Sequence, residues 1–214
     1  MPFDGIVLSG AVWEINGLLE GGRIERVFQT GRSEITLQCH SHGEKFRLLI
    51  SANPENPRIH LTKSKKENPL VAPPFAMVLR KHIQSGKILS LTQEGYDRIV
   101  TLTIETHNEM GDIVNKKLIA EIMGKYSNII LTSDSGIIYD SVKRVDEDMS
   151  SVREVMPGRH YVFPPQQEKI KEITLGAVRA EVESSMVSLK RFTYEQEELY
   201  KKTNEDFYNK TFST

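Results

Sequence analysis

Apolar residues recur every three to four positions at the start of the chain and at alternate positions over most of the remainder. Ile6, Val7, Ala11, Val12, Ile15, Leu18 and Leu19 share one helical face, which predicts a helix over residues 4–20. Asp4 suits its N-cap, and Gly21-Gly22 its end. Alternating segments then predict strands over 23–29, 34–40, 46–51 and 59–62, with turns at Gly31-Arg32 and Ser41-His42-Gly43. Residues 63–69 read as a basic loop. Pro73-Pro74 opens a second helix over about 74–84. Further strands are expected over 87–92, 98–106, 117–123, 128–132 and 137–143, the clearest being Ile99-Val100-Thr101-Leu102-Thr103-Ile104. Short strands joined by glycine turns indicate antiparallel pairing. Pro157-Gly158 and Pro164-Pro165 mark the end of this domain. From residue 168 to 214 the pattern becomes helical and highly charged, as at the start of a further domain of a longer protein.

The chain has 214 residues, 38% of them hydrophobic, enough for one sizeable core. Formal net charge is −1, so no global field draws it to nucleic acid or membrane. Locally the balance is uneven. Residues 58–98 hold eight cations against three carboxylates, a surplus of +5. Residues 101–140 hold three cations against six carboxylates, −3. By charge alone the basic stretch reads as a solvated face; it is also able to hold a phosphate backbone. No apolar run approaches a membrane span, and the first residues lack a secretory signal pattern, so a cytoplasmic protein without membrane contact is expected. The single cysteine, Cys39, excludes an internal disulfide. With His42 it makes half of a metal-ligand pattern, with no second half in sight, and no metal is expected.

Two constellations stand out. Asp97-Arg98 comes just after Gly95 at the mouth of an apolar strand. It reads either as a phosphate- or base-binding arginine oriented by its neighbour, or as a surface pair flanking a turn. Glu121-Ile122-Met123-Gly124-Lys125-Tyr126-Ser127-Asn128 is a donor-rich turn suited to phosphate contacts, or an ordinary hairpin with Gly124 and Asn128 at positive φ. Pro2 raises the thought of a secondary-amine nucleophile, as in DNA glycosylases, but Phe3 and Asp4 stand where a carboxylate should come next. No nucleophile–base arrangement or nucleotide fingerprint rises above chance, and a non-enzymatic role is expected.

The ordered set of pieces resembles the N-terminal domain of the NFACT family. The pieces are Phe3-Asp4-Gly5, Gly22-Arg23-Ile24, Pro74 to Lys81, Gly95 to Ile99, Glu121 to Leu131, Ser151-Val152-Arg153 and Pro157 to Tyr161. Members are known as bacterial fibronectin-binding proteins or as ribosome quality-control factors. The resemblance implies an α+β fold over residues 1–167. Its antiparallel β-sandwich with flanking helices would be similar to the N-terminal domain of formamidopyrimidine-type DNA glycosylases. A helical segment over 168–214 would begin a helix-hairpin-helix domain. It implies binding of tRNA and of the large ribosomal subunit carrying a stalled nascent chain, in support of C-terminal alanine tailing, with no cofactor. The family's Asp-Arg pair maps onto Asp97 and Arg98, and its Glu-Ile-Met motif onto Glu121, Ile122 and Met123. Arg80, Lys81 and the 63–66 loop are expected to add phosphate contacts. The alternative is a fibronectin-binding adhesin of the bacterial surface.

Overall fold

Asp4 does what its position suggests. Its Oδ1 accepts from the amides of Ile6 (3.1 Å) and Val7 (2.9 Å), satisfying two of the free N–H groups that open α1 (Gly5–Leu19). The computed structural model describes residues 4–64, 69, 71–95, 97–150 and 152–165, all within one compact unit, Met1–Pro165. Pro2, Lys65, Lys66 and the helical segment expected over 168–214 lie outside the described residues.

After α1 come β1 (Arg23–Gly31), β2 (Glu34–Ser41), β3 (Glu44–Ser51) and β4 (Arg58–Leu61). Helix α2 (Pro74–Ile83) is next, then β5 (Lys87–Gln93), β6 (Ile99–His107), β7 (Ile113–Glu121), β8 (Asn128–Ser133) and β9 (Ile138–Ser141). All pairings are antiparallel, in one nine-stranded sheet of order β4-β3-β2-β1-β5-β6-β7-β8-β9. The expected antiparallel α+β architecture is present, but hydrogen bonds join the strands into one sheet rather than two. β7 starts four residues before its expected position. Asn108 Oδ1 accepts from the amides of Met110 and Asp112 (both 2.9 Å), so the turn closes early and Ile113 pairs with His107.

The two halves of the sheet meet at a short seam between β1 and β5. Ile88 donates to Gly22 O (2.7 Å), Gly21 to Ile88 O (2.9 Å), Ile24 to Gly86 O (2.9 Å) and Ser85 to Ile24 O (2.7 Å). A side chain at either seam glycine would collide. A Cβ on Gly22 would lie 2.6 Å from Ser41 Cβ, and one on Gly86 2.5 Å from Ile104 Cγ2. Both halves feed one core. Ile24, Val27, Ile35, Leu37, Leu48 and Ile50 come from β1–β3; Ile88, Val100, Leu102, Leu118, Ile129 and Leu131 come from β5–β8. Helix α1 adds Leu8, Val12, Ile15 and Leu19, at intervals of four, three and four, and Asn16 Oδ1 fastens it to β5 through the Leu91 amide (2.6 Å). Cys39 is buried in this core while His42 sits exposed in a turn. Burial, then the Glu25 charge, pushes the thiol up to about 12.

A second, smaller core lies on the other face of β6–β9. Ile99, Ile119, Ile130, Ile138 and Val155 form it, with Met123, Val145 and Tyr161 packed against it. The segment after β9 is laid over that face by bridges Val145–Val155 and Ile137–His160.

The seam makes a direct prediction. Gly86→Ala should lower unfolding stability by about 1–3 kcal/mol, the cost of overpacking against backbone and a buried isoleucine. Urea titration checks it, and an unshifted midpoint would contradict the close approach.

Candidate nucleic-acid interface

Asp97 and Arg98 sit in the turn between β5 and β6, outside the regular strand. The turn is held by backbone. Asp97 N donates to Glu94 O (2.9 Å), and Gln93 Nε2 bridges Asp97 O and Gly5 O, both at 2.9 Å. Arg98 O accepts from Ile122 N (2.8 Å). That bond joins the two stretches singled out in the sequence, and the Ile99–Glu121 pairing continues it. The Arg98 side chain is exposed; Asp97 is half-buried.

Glu121 and Ile122 are each 1% exposed, so neither side chain offers itself to a large ligand. Arg153 Nη1 donates to Glu121 Oε1 (2.7 Å) and Nη2 to Oε2 (2.5 Å). Tyr161 Oη also donates to Oε1 (2.9 Å), and Arg153 Nη1 reaches Val162 O (2.9 Å). Burial disfavours the Arg153 cation, but the bonds and charge of Glu121 outweigh it, and its pKa is raised. Burial first, then the Glu121 charge, pushes the Tyr161 hydroxyl up, so it stays a donor. Whatever Glu121 contributes to binding acts through the segment it clamps. Sequence patterns alone do not give Arg153 or Tyr161 this role. The available signal is β8, whose Ile129-Ile130-Leu131 run is apolar on both faces and calls for a covering layer.

The donor-rich turn is largely spent internally. Residues Gly124–Tyr126 form a single 3₁₀ turn, with Gly124 at φ 59°. Ser127 Oγ accepts from Met123 N (2.8 Å), and Met123 is half-buried. Asn128 is not at positive φ, contrary to the hairpin expectation. It is a buried bracket, donating to Lys143 O (2.8 Å) and accepting from Lys143 N (3.0 Å) and Ile129 N (2.9 Å). Lys125 and Tyr126 remain outside, with Lys125 Nζ 4.9 Å from the Tyr126 ring centre and Tyr126 68% exposed.

Arg80 and Lys81 are elsewhere. Arg80 is half-buried on α2, its Nε donating to Val27 O on β1 (3.1 Å). Lys81 pairs with Glu109 in the β6–β7 turn (2.8 Å). That turn is at the far end of β6 from Arg98, nine residues or about 30 Å of strand away. The expected residues therefore form one cluster, at Arg98 and Glu121–Met123, plus a separate pair on α2. Of the 63–66 loop, Lys63 and Ser64 are described and exposed. Beside Lys81, the Lys116 ammonium donates to His82 Nδ1 (2.8 Å), and His82 stacks on Tyr139 with ring centres 4.4 Å apart. Among the described residues no group of three metal-ligating side chains occurs, and no helix is long and apolar enough to cross a membrane.

The family model for NFACT N-terminal and middle domains matches residues 4–201. The Bacillus subtilis protein named Rqc2 homolog RqcH is 41% identical over 174 residues, covering 81% of this chain and 30% of that protein. The human ribosome quality control complex subunit NEMF is 28% identical over 162 residues, covering 74% of this chain and 14% of its own length. The N-terminal domain of fibronectin-binding protein PavA from Streptococcus pneumoniae superposes with a TM-score of 0.76 at 38% identity, covering 85% of this chain and 69% of that one. The N-terminal part of the fibronectin/fibrinogen-binding protein from Streptococcus suis also gives 0.76 at 38% identity, covering 78% and 63%. The chain spans 30–32% of the bacterial relatives' length.

The clamp and the histidine are both open to test. Glu121→Gln should cost about 3–5 kcal/mol, because it strands the Arg153 cation. Adding Arg153→Met should recover most of that loss in denaturant melts, whereas additive losses would contradict the pairing. Burial first, then the charges of Lys116 and Lys81, lowers the His82 pKa from 6.5 to about 4. The unfolded chain then binds the proton first, so stability should fall as pH drops from about 6.5 toward 4. His82→Gln should flatten that slope in thermal melts.

Proposed function

The chain belongs to the NFACT family, and we propose that it is the RNA-binding module of a ribosome quality-control factor. In this reading it associates with tRNA and the large ribosomal subunit and supports alanine tailing of stalled chains from the cytoplasm. It holds a ligand and catalyses nothing. The relatives' names support the ribosomal setting. The observation that carries the RNA contact is the Arg98 turn, an exposed guanidinium on a backbone fixed from Gln93 and from Ile122. Such a fork, facing solvent from a fixed backbone, suits a phosphate or a base edge. Asp97 orients the turn, Lys125 and Tyr126 extend the surface from the adjoining Met123 end, and Glu121 keeps that end rigid. Arg80 and Lys81 are assigned a separate, weaker phosphate contact. The sandwich likeness to glycosylase N-terminal domains belongs to this reading only as a statement about layout.

The streptococcal neighbours' names favour a second reading, binding of fibronectin. One experiment separates the two. Arg98→Ala should weaken tRNA and large-subunit association of the whole protein by about tenfold or more, the value of a charge-assisted contact, with an unchanged melting temperature. Unchanged association would remove Arg98 from the interface. Retention on immobilised fibronectin that survives Arg98→Ala is what the second reading expects.

A further inference from the structure

A further surface lies on the half of the sheet that carries none of these residues. The outward side chains of β1–β4 line a groove of about 1070 Å³. Side chains of a strand alternate faces, so every second residue is presented there, and strand pairing sets the groove in rows. Arg26, Gln38 and Arg47 are register partners across β1, β2 and β3. The next row is Phe28, Thr36, Leu49 and His60. Arg23 and Lys45 flank the first row, and Arg58 lies beyond the second. Five cations thus meet one lining carboxylate, Glu25, which lies 4.0 Å from Lys45. Glu34, at the edge, pairs with Arg58 (3.2 Å). Arg26 is exposed and has no ion-pair partner among the described residues, and the Arg23 and Arg47 guanidiniums meet backbone carbonyls rather than acids.

This is a net positive surface in a chain of net charge −1. On the lining residues Thr30 and His60, Thr30 Oγ1 and His60 Nδ1 are buried atoms with no hydrogen-bond partner among the described residues. Phe28, half-buried, lines the groove in the row beside Arg26 and Arg47.

We infer that the outer face of β1–β4 is a second RNA surface, binding a single strand through its phosphates with a base stacked on Phe28. Cations that track a backbone, interleaved with an aromatic platform, are what sequence-tolerant single-strand binding requires. A duplex has no unstacked base to place on Phe28. An acidic protein segment would satisfy the cations but leave the ring unused. The inference goes beyond the Arg98 reading and does not depend on it.

The test is fluorescence anisotropy of a labelled oligouridylate of roughly twelve nucleotides with the full chain. Each single-strand phosphate contact adds about 0.7 to the slope of log affinity against log salt. Arg26→Gln/Lys45→Gln, at two exposed positions, should lower the slope by about 1.4 and weaken binding about 25-fold near 0.1 M salt. Phe28→Leu should weaken it at least about fivefold while leaving the slope alone. Three results would overturn the inference: no binding by the unaltered chain, an unchanged slope in the double variant, or equal binding of polyglutamate with no effect of Phe28→Leu. Loss on Arg98→Ala with none from the groove variants would also overturn it, while leaving the proposed function standing.

Discussion

Two glycines hold this domain together by taking up no room. At the seam, β1 and β5 share one register pair, Arg23 with Lys87, and each glycine faces a neighbour at a distance no Cβ tolerates. Four backbone hydrogen bonds cross there, so the sheet is continuous, yet the strands beyond belong to two separate four- and five-stranded halves. Both halves then close over the same apolar core and α1. Neither half buries its inner face alone, because a lone meander exposes one apolar side to water. The seam is therefore where local backbone geometry decides global burial.

That division also separates the two surfaces. The Arg98 turn and the Glu121 clamp belong to the β5–β9 half, and the basic groove to the β1–β4 half. On the first, the buried Glu121–Arg153 pair has its value in location rather than in energy, since desolvation offsets most of the gain from such a pair. A carboxylate with both oxygens occupied by Arg153 and Tyr161 admits one arrangement of the segment after β9. Through the Ile122–Arg98 bond, the same arrangement sets the turn that presents the guanidinium. In the proposed reading the exposed residue acts and the buried one locates it.

Much of this is legible in the sequence. Strand patterns mark nearly all strands to within a residue or two, most plainly where one face is buried and the other is wet; β8, buried on both faces, shows as a continuous apolar run instead. Periodicity starts β7 late because Asn108 closes its turn with side-chain bonds that composition does not reveal. Asp97 and Arg98 are legible as a charged pair at a turn, while their junction with Glu121–Met123 depends on register, which needs the fold. Glu121, Ser127 and Asn128 read as surface donors and acceptors and are buried, because the covering segment comes from residues 144–161, far along the chain. The basic groove is harder still. Its cations are spread over Arg23 to Arg58, mixed with core residues facing the other way, and a count by segment puts the surplus over 58–98 instead.

Net charge near zero has a consequence for how such surfaces work. Physiological salt screens charge beyond about 8 Å, so opposite patches elsewhere on the chain neither help nor oppose a strand already seated in the groove. They do cancel at long range, and encounter is left to diffusion without steering. In the proposed reading, binding strength then rests on short-range fit: forks on phosphates and a ring on a base. On that reading, such a surface holds an RNA that is already close rather than drawing one in from solution.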